Sequence, residues 1–174
     1  MYTRNAQQNQ HGLTLVEVMV ALVVLSVGLL GLAGLQINGI RGVSASNYRV
    51  QAVMLANELA DRMHTNVPAA DANSFAAINI LTNACPAIVT DCLTADCNST
   101  DLATFDLNDI CLNTASTLPQ PATITVTCND IDTTDGDACT NGSTHTIQIS
   151  WNEVIDSSIN NGQRTENVSF VITP

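Results

Sequence analysis

From Val18 to Ile40 the chain runs 23 residues without a charged side chain. A helix of that length spans about 34 Å, enough to cross the hydrocarbon core of a bilayer. Polar positions then return, yet Ala45, Tyr48, Ala52, Leu55, Ala56, Leu59 and Met63 recur at three- and four-residue steps and form one apolar stripe. Glu58 and Arg62 make an i,i+4 pair in the favourable order, which places them on the solvent side. Asn66, then Val67-Pro68, ends the pattern, because proline cannot continue a helix and disfavours a helical residue before it. The prediction is one helix over residues 13–66, about 80 Å long. Residues 13–42 form its transmembrane part and residues 43–66 an amphipathic spine.

The remainder, residues 67–174, reads as a small head. A short helix is predicted from about Asp101 to Asn113, with Ser99 or Thr100 as N-cap and Leu102, Phe105, Ile110 and Leu112 as buried candidates. Ile124-Val126-Cys128, Ile147-Ile149-Trp151 and Val168-Phe170-Ile172 alternate with polar residues, the signature of strands with one buried face. Asn160-Asn161-Gly162 supplies turn chemistry for a hairpin between the last two. Three antiparallel strands laid on the second half of the long helix give an α+β fold in which each apolar face covers the other.

Charge changes the picture. The 174 residues carry 5 basic side chains, all arginine, against 16 acids, for a formal net charge of -11. Only Arg164 lies beyond position 62, where thirteen of the acids sit. A body so poor in cations is unsuited to direct binding of nucleic acid or of an anionic membrane surface.

All six cysteines (Cys85, Cys92, Cys97, Cys111, Cys128, Cys139) follow the apolar segment, and an even count there implies disulfides and an oxidising compartment. Cys128 ends one predicted strand and Cys139 shortly precedes the next, so they are expected to pair across a hairpin loop. Cys92 with Cys97 and Cys85 with Cys111 would complete the set, among fifteen possible connectivities. Zinc is disfavoured, since there is no CxxC and no histidine close by in sequence. The run Asp130 to Asp137 invites a calcium reading, but its glycine and terminal acid are out of EF-hand register, and a solvated acidic loop is expected instead. Past the leader only His64 and His145 remain, with no G-x-S-x-G, H-E-x-x-H or phosphate-cradling loop. Neither enzymatic activity nor a cofactor is expected, and both histidines are read as surface or half-buried.

The N-terminus begins like a secretory signal, with Arg4 and no acid ahead of the apolar block. No A-x-A cleavage site follows that block, however. Glu17 also stands inside it, where an unpaired carboxylate is costly and calls for a partner. The string His11-Gly12-Leu13-Thr14-Leu15-Val16-Glu17-Val18 resembles the class III signal of type IV prepilins and pseudopilins. That resemblance implies a cleaved leader (1–12), cut after Gly12 by a membrane prepilin peptidase, and N-methylation of Leu13. It also implies that Glu17 pairs with the N-terminal amine of a neighbouring subunit and sets register. Either charge is costly alone in an apolar surround and tolerable with the other.

Gly28, Gly31, Gly39 and Gly42 fall within an arc of about 80° on a helical wheel. They read either as a face for close helix approach and a segment able to unwind, or as the ordinary abundance of glycine in membrane helices. Major pilins carry a proline in this region and this chain has none, which weakens unwinding more than packing. Leu29-Leu30-Gly31-Leu32-Ala33-Gly34-Leu35-Gln36 and Ala60-Asp61-Arg62-Met63-His64-Thr65-Asn66 resemble PilV-type minor pilins of type IV pili. The implied fold is the pilin fold, disulfide-stapled. The implied role is to prime pilus assembly with other minor pilins and the major pilin at an inner-membrane platform, with a place at the pilus tip as a further expectation. The implied location is the bacterial inner membrane, amid its lipid, with a periplasmic head. Two other readings stay open: a minor pseudopilin of type II secretion, and an adhesin or binding module displayed on the filament. No cysteine follows Cys139, so an adhesive C-terminal disulfide loop is not expected.

Overall fold

The computed structural model describes residues 14–75, 80–81, 84–134, 136–137, 139–154 and 162–174. Its elements in chain order are α1 (Leu15–Thr65), α2 (Val67–Asp71), β1 (Ile80–Leu81), α3 (Ser99–Thr117), β2 (Ala122–Asn129), β3 (Thr144–Val154) and β4 (Gln163–Ile172). The fold is α+β and pilin-like: a long N-terminal helix and a small antiparallel sheet. The chain divides into two compact units, one up to Val43 and one from Ser44 to Pro174.

Within the second unit, α1 buries the stripe that its spacing predicts. Ala52, Leu55, Ala56, Leu59, Ala60 and Met63 are buried, and Tyr48 packs at the margin of the core. The sheet runs in the order β1-β2-β3-β4, with three long strands and a two-residue edge strand that the sequence did not announce. Register aligns the apolar alternations: Ile124 faces Ile149 and Val126 faces Ile147 across β2 and β3. Ile149 faces Val168 and Ile147 faces Phe170 across β3 and β4. These side chains join the α1 stripe, Phe75 and one face of α3 in a single core. Because side chains alternate along a strand, this register puts Ile124 and Val126 of β2 and Ile147, Ile149 and Trp151 of β3 on the same side.

Four local expectations are corrected. Val67 is helical: it opens α2, with Pro68 in the first turn and the Asn66 carbonyl accepting from the Ala69 and Ala70 amides at 3.0 and 3.2 Å. Proline here starts a helix, because its missing N–H falls where no intrahelical bond is needed. The head helix α3 is longer than predicted, and its N-cap is Asn98, whose side chain accepts from the Asp101 amide at 2.8 Å. Its buried face is Ala103, Leu107, Ile110, Cys111 and Thr114. Of the four residues predicted to be buried only Ile110 is, with Leu102 and Phe105 half-buried and Leu112 exposed. The fourth concerns the Glu58–Arg62 pair, taken up below. The predicted Asn160-Asn161 turn lies outside the described residues; Gly162 enters β4 at φ +77°, a conformation suited to glycine.

Candidate assembly surface and the groups that shape the head

Thr14 caps α1. The Glu17 amide donates to its carbonyl at 3.1 Å and to its hydroxyl at 3.3 Å, and Glu17 stands exposed in the first turn. The cleavage residues Gly12 and Leu13 lie outside the described residues. From Leu15 to Val43 every large apolar side chain is exposed, and α1 contains a stretch long and apolar enough to cross a membrane, none of it buried. A Cβ placed on Gly28, Gly31, Gly34, Gly39 or Gly42 would meet nothing within 4 Å. This half of the helix buries its apolar surface against none of the described residues, which leaves it for lipid or other helices to cover.

The end of α1 is tied to α3 by the polar residues of the Ala60–Asn66 string. Arg62 reaches Glu58, Asp106 at 3.0 Å and Asp109, with only 23% of its side chain exposed. The Glu58–Arg62 pair thus does not face solvent alone: Glu58 is 44% exposed, and the pair is also part of a network between two helices. Burial pushes the Asp106 carboxyl above the ordinary carboxylate range, against the opposing pull of Arg62. Asn66, 4% exposed, donates to the Ser99 carbonyl at 2.8 Å where α3 begins. Met63 sits between them in sequence and enters the core.

Three disulfides staple the head: Cys85–Cys111, Cys92–Cys97 and Cys128–Cys139, with Cα separations of 5.6, 5.5 and 6.1 Å. The first fixes the segment before α3 to that helix, and the Asn108 side chain adds a bond to the Pro86 carbonyl at 2.7 Å. Two carboxylates of the acidic loop are spent locally. Asp130 accepts from the Thr140 amide and the Ser143 hydroxyl, and Asp132 from the amide and hydroxyl of Thr134. These bonds hold both carboxyls below their usual range.

His145 departs most from its predicted setting. It is 1% exposed rather than at the surface, faces Cys128 across β2 and β3, and places Nε2 3.4 Å from the Cys139 sulfur. Its Nδ1 is buried, with no partner in hydrogen-bonding geometry among the described residues. Burial holds its pKa below the ordinary imidazole value, against weaker pulls from the Ala70 and Ser143 backbone and the Asp71 carboxylate. Cys139 stands only six residues before His145, a nearness the sequence reading passed over, while the strand ladder brings Cys128 from seventeen residues away. His64 is exposed in the last turn of α1.

Residues 7–33 match the prokaryotic N-terminal methylation motif, and residues 34–108 match the type IV pilin Tt1218 family. No curated protein and no solved structure matches the chain. The motif with the apolar helix fits a membrane-anchored subunit. Two adjoining matches, the exposed apolar half of α1 and the disulfide-stapled α+β head together make the chain similar to type IV pilins.

Proposed function

We propose that this chain is a PilV-like minor pilin that joins other minor pilins to prime type IV pilus assembly, with its head in the periplasm and its helix in the inner membrane. The observation that carries the reading is the helix itself: apolar and uncovered from Leu15 to Val43, with Glu17 embedded at its start. Prepilin peptidase removes residues 1–12 after Gly12 and the new Leu13 amine is methylated. In the filament Glu17 meets the amine of a neighbouring subunit, and the apolar residues and the Gly28, Gly31, Gly39, Gly42 face pack on neighbouring helices. The GLLGLAGLQ and DRM strings favour a pilus subunit over a type II secretion pseudopilin, which would share the signal and the helix.

The role is structural, not enzymatic. Of the two histidines past the leader, one is sealed in the core and the other is alone at a helix end. Deletion of the gene in a retraction-deficient strain, followed by counting surface filaments and assaying type II secretion in the same cells, tests the reading. Loss of filaments with secretion intact supports it. Intact filaments with lost secretion would replace it with the pseudopilin reading, and intact filaments with lost attachment would replace it with a displayed binder.

A further inference from the structure

Among the described residues the sheet ends at β4, so this ten-residue strand pairs with β3 on one side and offers the N–H and C=O groups of its other side to no described strand. Register places Arg164, Glu166, Val168, Phe170 and Ile172 on the face that looks into the core, opposite Glu153, Trp151, Ile149, Ile147 and His145. From Trp151 to His145 that row of β3 is sealed, with none of the four more than 1% exposed. Val168, Phe170 and Ile172 pack on the same core yet are only half-buried. The row is therefore open along β4, apolar at one end and charged at the other.

At the charged end Arg49 of α1 joins Arg164, Glu166, Glu153 and Trp151 around a cleft of about 140 Å³. The Trp151 indole donates to Glu153 at 3.0 Å. Of the three arginines from Ser44 onward, Arg62 is taken by three carboxylates, and the other two converge on Glu166, Arg49 at 3.9 Å and Arg164 in closer contact. Both of these side chains are well exposed, at 64% and 62%. Two forked guanidinium groups thus share one carboxylate and keep donors for a second.

We propose that β4 is a docking edge for an extended segment of another polypeptide, added antiparallel as a further strand, with apolar side chains against Ile172, Phe170 and Val168 and a carboxylate against Arg164 and Arg49. Backbone hydrogen bonds hold such a strand whatever its sequence, and its alternate side chains decide which sequence is accepted. Antiparallel pairing is the mode of every pair in the sheet, and it brings the start of the segment to Ile172 and its end to Arg164. Inward positions recur every second residue, so the accepted pattern is apolar at positions 1, 3 and 5, uncharged at position 7 beside Glu166, and acidic at position 9. Charge selects the occupant: an acidic head accepts a carboxylate only where its two spare cations stand. The inference does not depend on which assembly the chain joins.

The test uses the isotope-labelled full chain in detergent micelles and a capped peptide with valine at positions 1, 3 and 5, glutamate at position 9 and threonine elsewhere. Amide hydrogen exchange read by NMR should slow at alternate β4 residues, since only every second N–H of an edge strand faces outward. Fluorescence of Trp151, the single tryptophan of the chain, follows the titration. Arg164→Glu, or lysine in place of the peptide's glutamate, should each weaken binding about tenfold, and the two changes together should restore part of the loss. A fold defect does not produce that reciprocal rescue. Should Arg164→Glu fail to fold, Arg49→Gln reads the same contact with a loss of about threefold. The proposal is overturned by unchanged β4 exchange at about 1 mM peptide or by binding indifferent to both charge changes. Slowed β4 exchange that grows with chain concentration without peptide, as pairing of two copies through β4 would give, also overturns it.

Discussion

Arg62 shows how one side chain can hold two helices together. Its guanidinium offers several donors in a fixed fork, and three carboxylates from α1 and α3 take them. Replacing Arg62 with Ala leaves Asp106 half-buried beside Asp109 without a counter-ion. Chemical unfolding of the full chain in micelles should report a loss of about 2 kcal/mol, less than for a fully buried pair because solvent reaches this network. Arg62→Lys should recover only part of that, since a single ammonium cannot serve three carboxylates. His145 gives a pH signature of known sign. Its folded pKa is depressed, so below the ordinary imidazole value near 6.5 the unfolded chain takes up a proton that the folded chain resists. Stability should therefore be full above about pH 6.5 and fall with pH until the depressed folded pKa is reached, and His145→Phe should flatten that slope. Neither residue's role was legible in the sequence. The pair Glu58–Arg62 was visible as an i,i+4 spacing, but its other partners lie 44 and 47 positions away. Of the histidine's two sulfur neighbours, Cys139 lies six residues away in the adjoining loop, and only Cys128 comes through the strand ladder.

Strands were the most legible elements, because period-two alternation in Ile124-Val126, Ile147-Ile149-Trp151 and Val168-Phe170-Ile172 allows one register that buries all the inner rows together. The second half of α1 was equally plain from its stripe. The face of α3 was not: Leu102, Phe105 and Leu112 looked like core residues. The face that is buried carries the small Ala103 and the polar Thr114, whose hydroxyl is satisfied by the Ile110 carbonyl at 2.7 Å. That face also carries Cys111, whose disulfide to Cys85 closes a 26-residue separation. Removing that bridge with Cys85→Ser and Cys111→Ser should cost about 3 kcal/mol, read from the same unfolding experiment. The glycine face of α1 gives a test that separates folding from assembly. A Cβ at Gly31 or Gly39 meets nothing within 4 Å among the described residues, and leucine is a better helix former than glycine by about 1 kcal/mol. Gly31→Leu with Gly39→Leu should leave the cellular level of the subunit unchanged on immunoblots while lowering the number of filaments.

Charge and apolar surface are segregated along the chain. Four of the five arginines precede position 63, thirteen of the sixteen acids follow it, and the uncovered apolar stretch is confined to the first unit. On the proposed reading, the acidic, cross-linked head selects partners through its own surface, while the helix supplies a generic apolar attraction that lipid satisfies before assembly and neighbouring helices satisfy afterwards. In that scheme Glu17 is the group that lipid serves badly and a second subunit serves well, since a carboxylate in hydrocarbon gains from a nearby amine what it cannot gain from acyl chains. The signal around Gly12 and the length of the apolar run were legible because a membrane imposes constraints on consecutive residues. The head's partners were not, because they depend on surfaces that no periodicity records. The decisive measurement is the number of surface filaments per cell, by electron microscopy, in a retraction-deficient deletion strain complemented with wild type or with Glu17→Ala at matched subunit levels. The account predicts filaments restored by wild type and not by Glu17→Ala; equal filament numbers with both would contradict it.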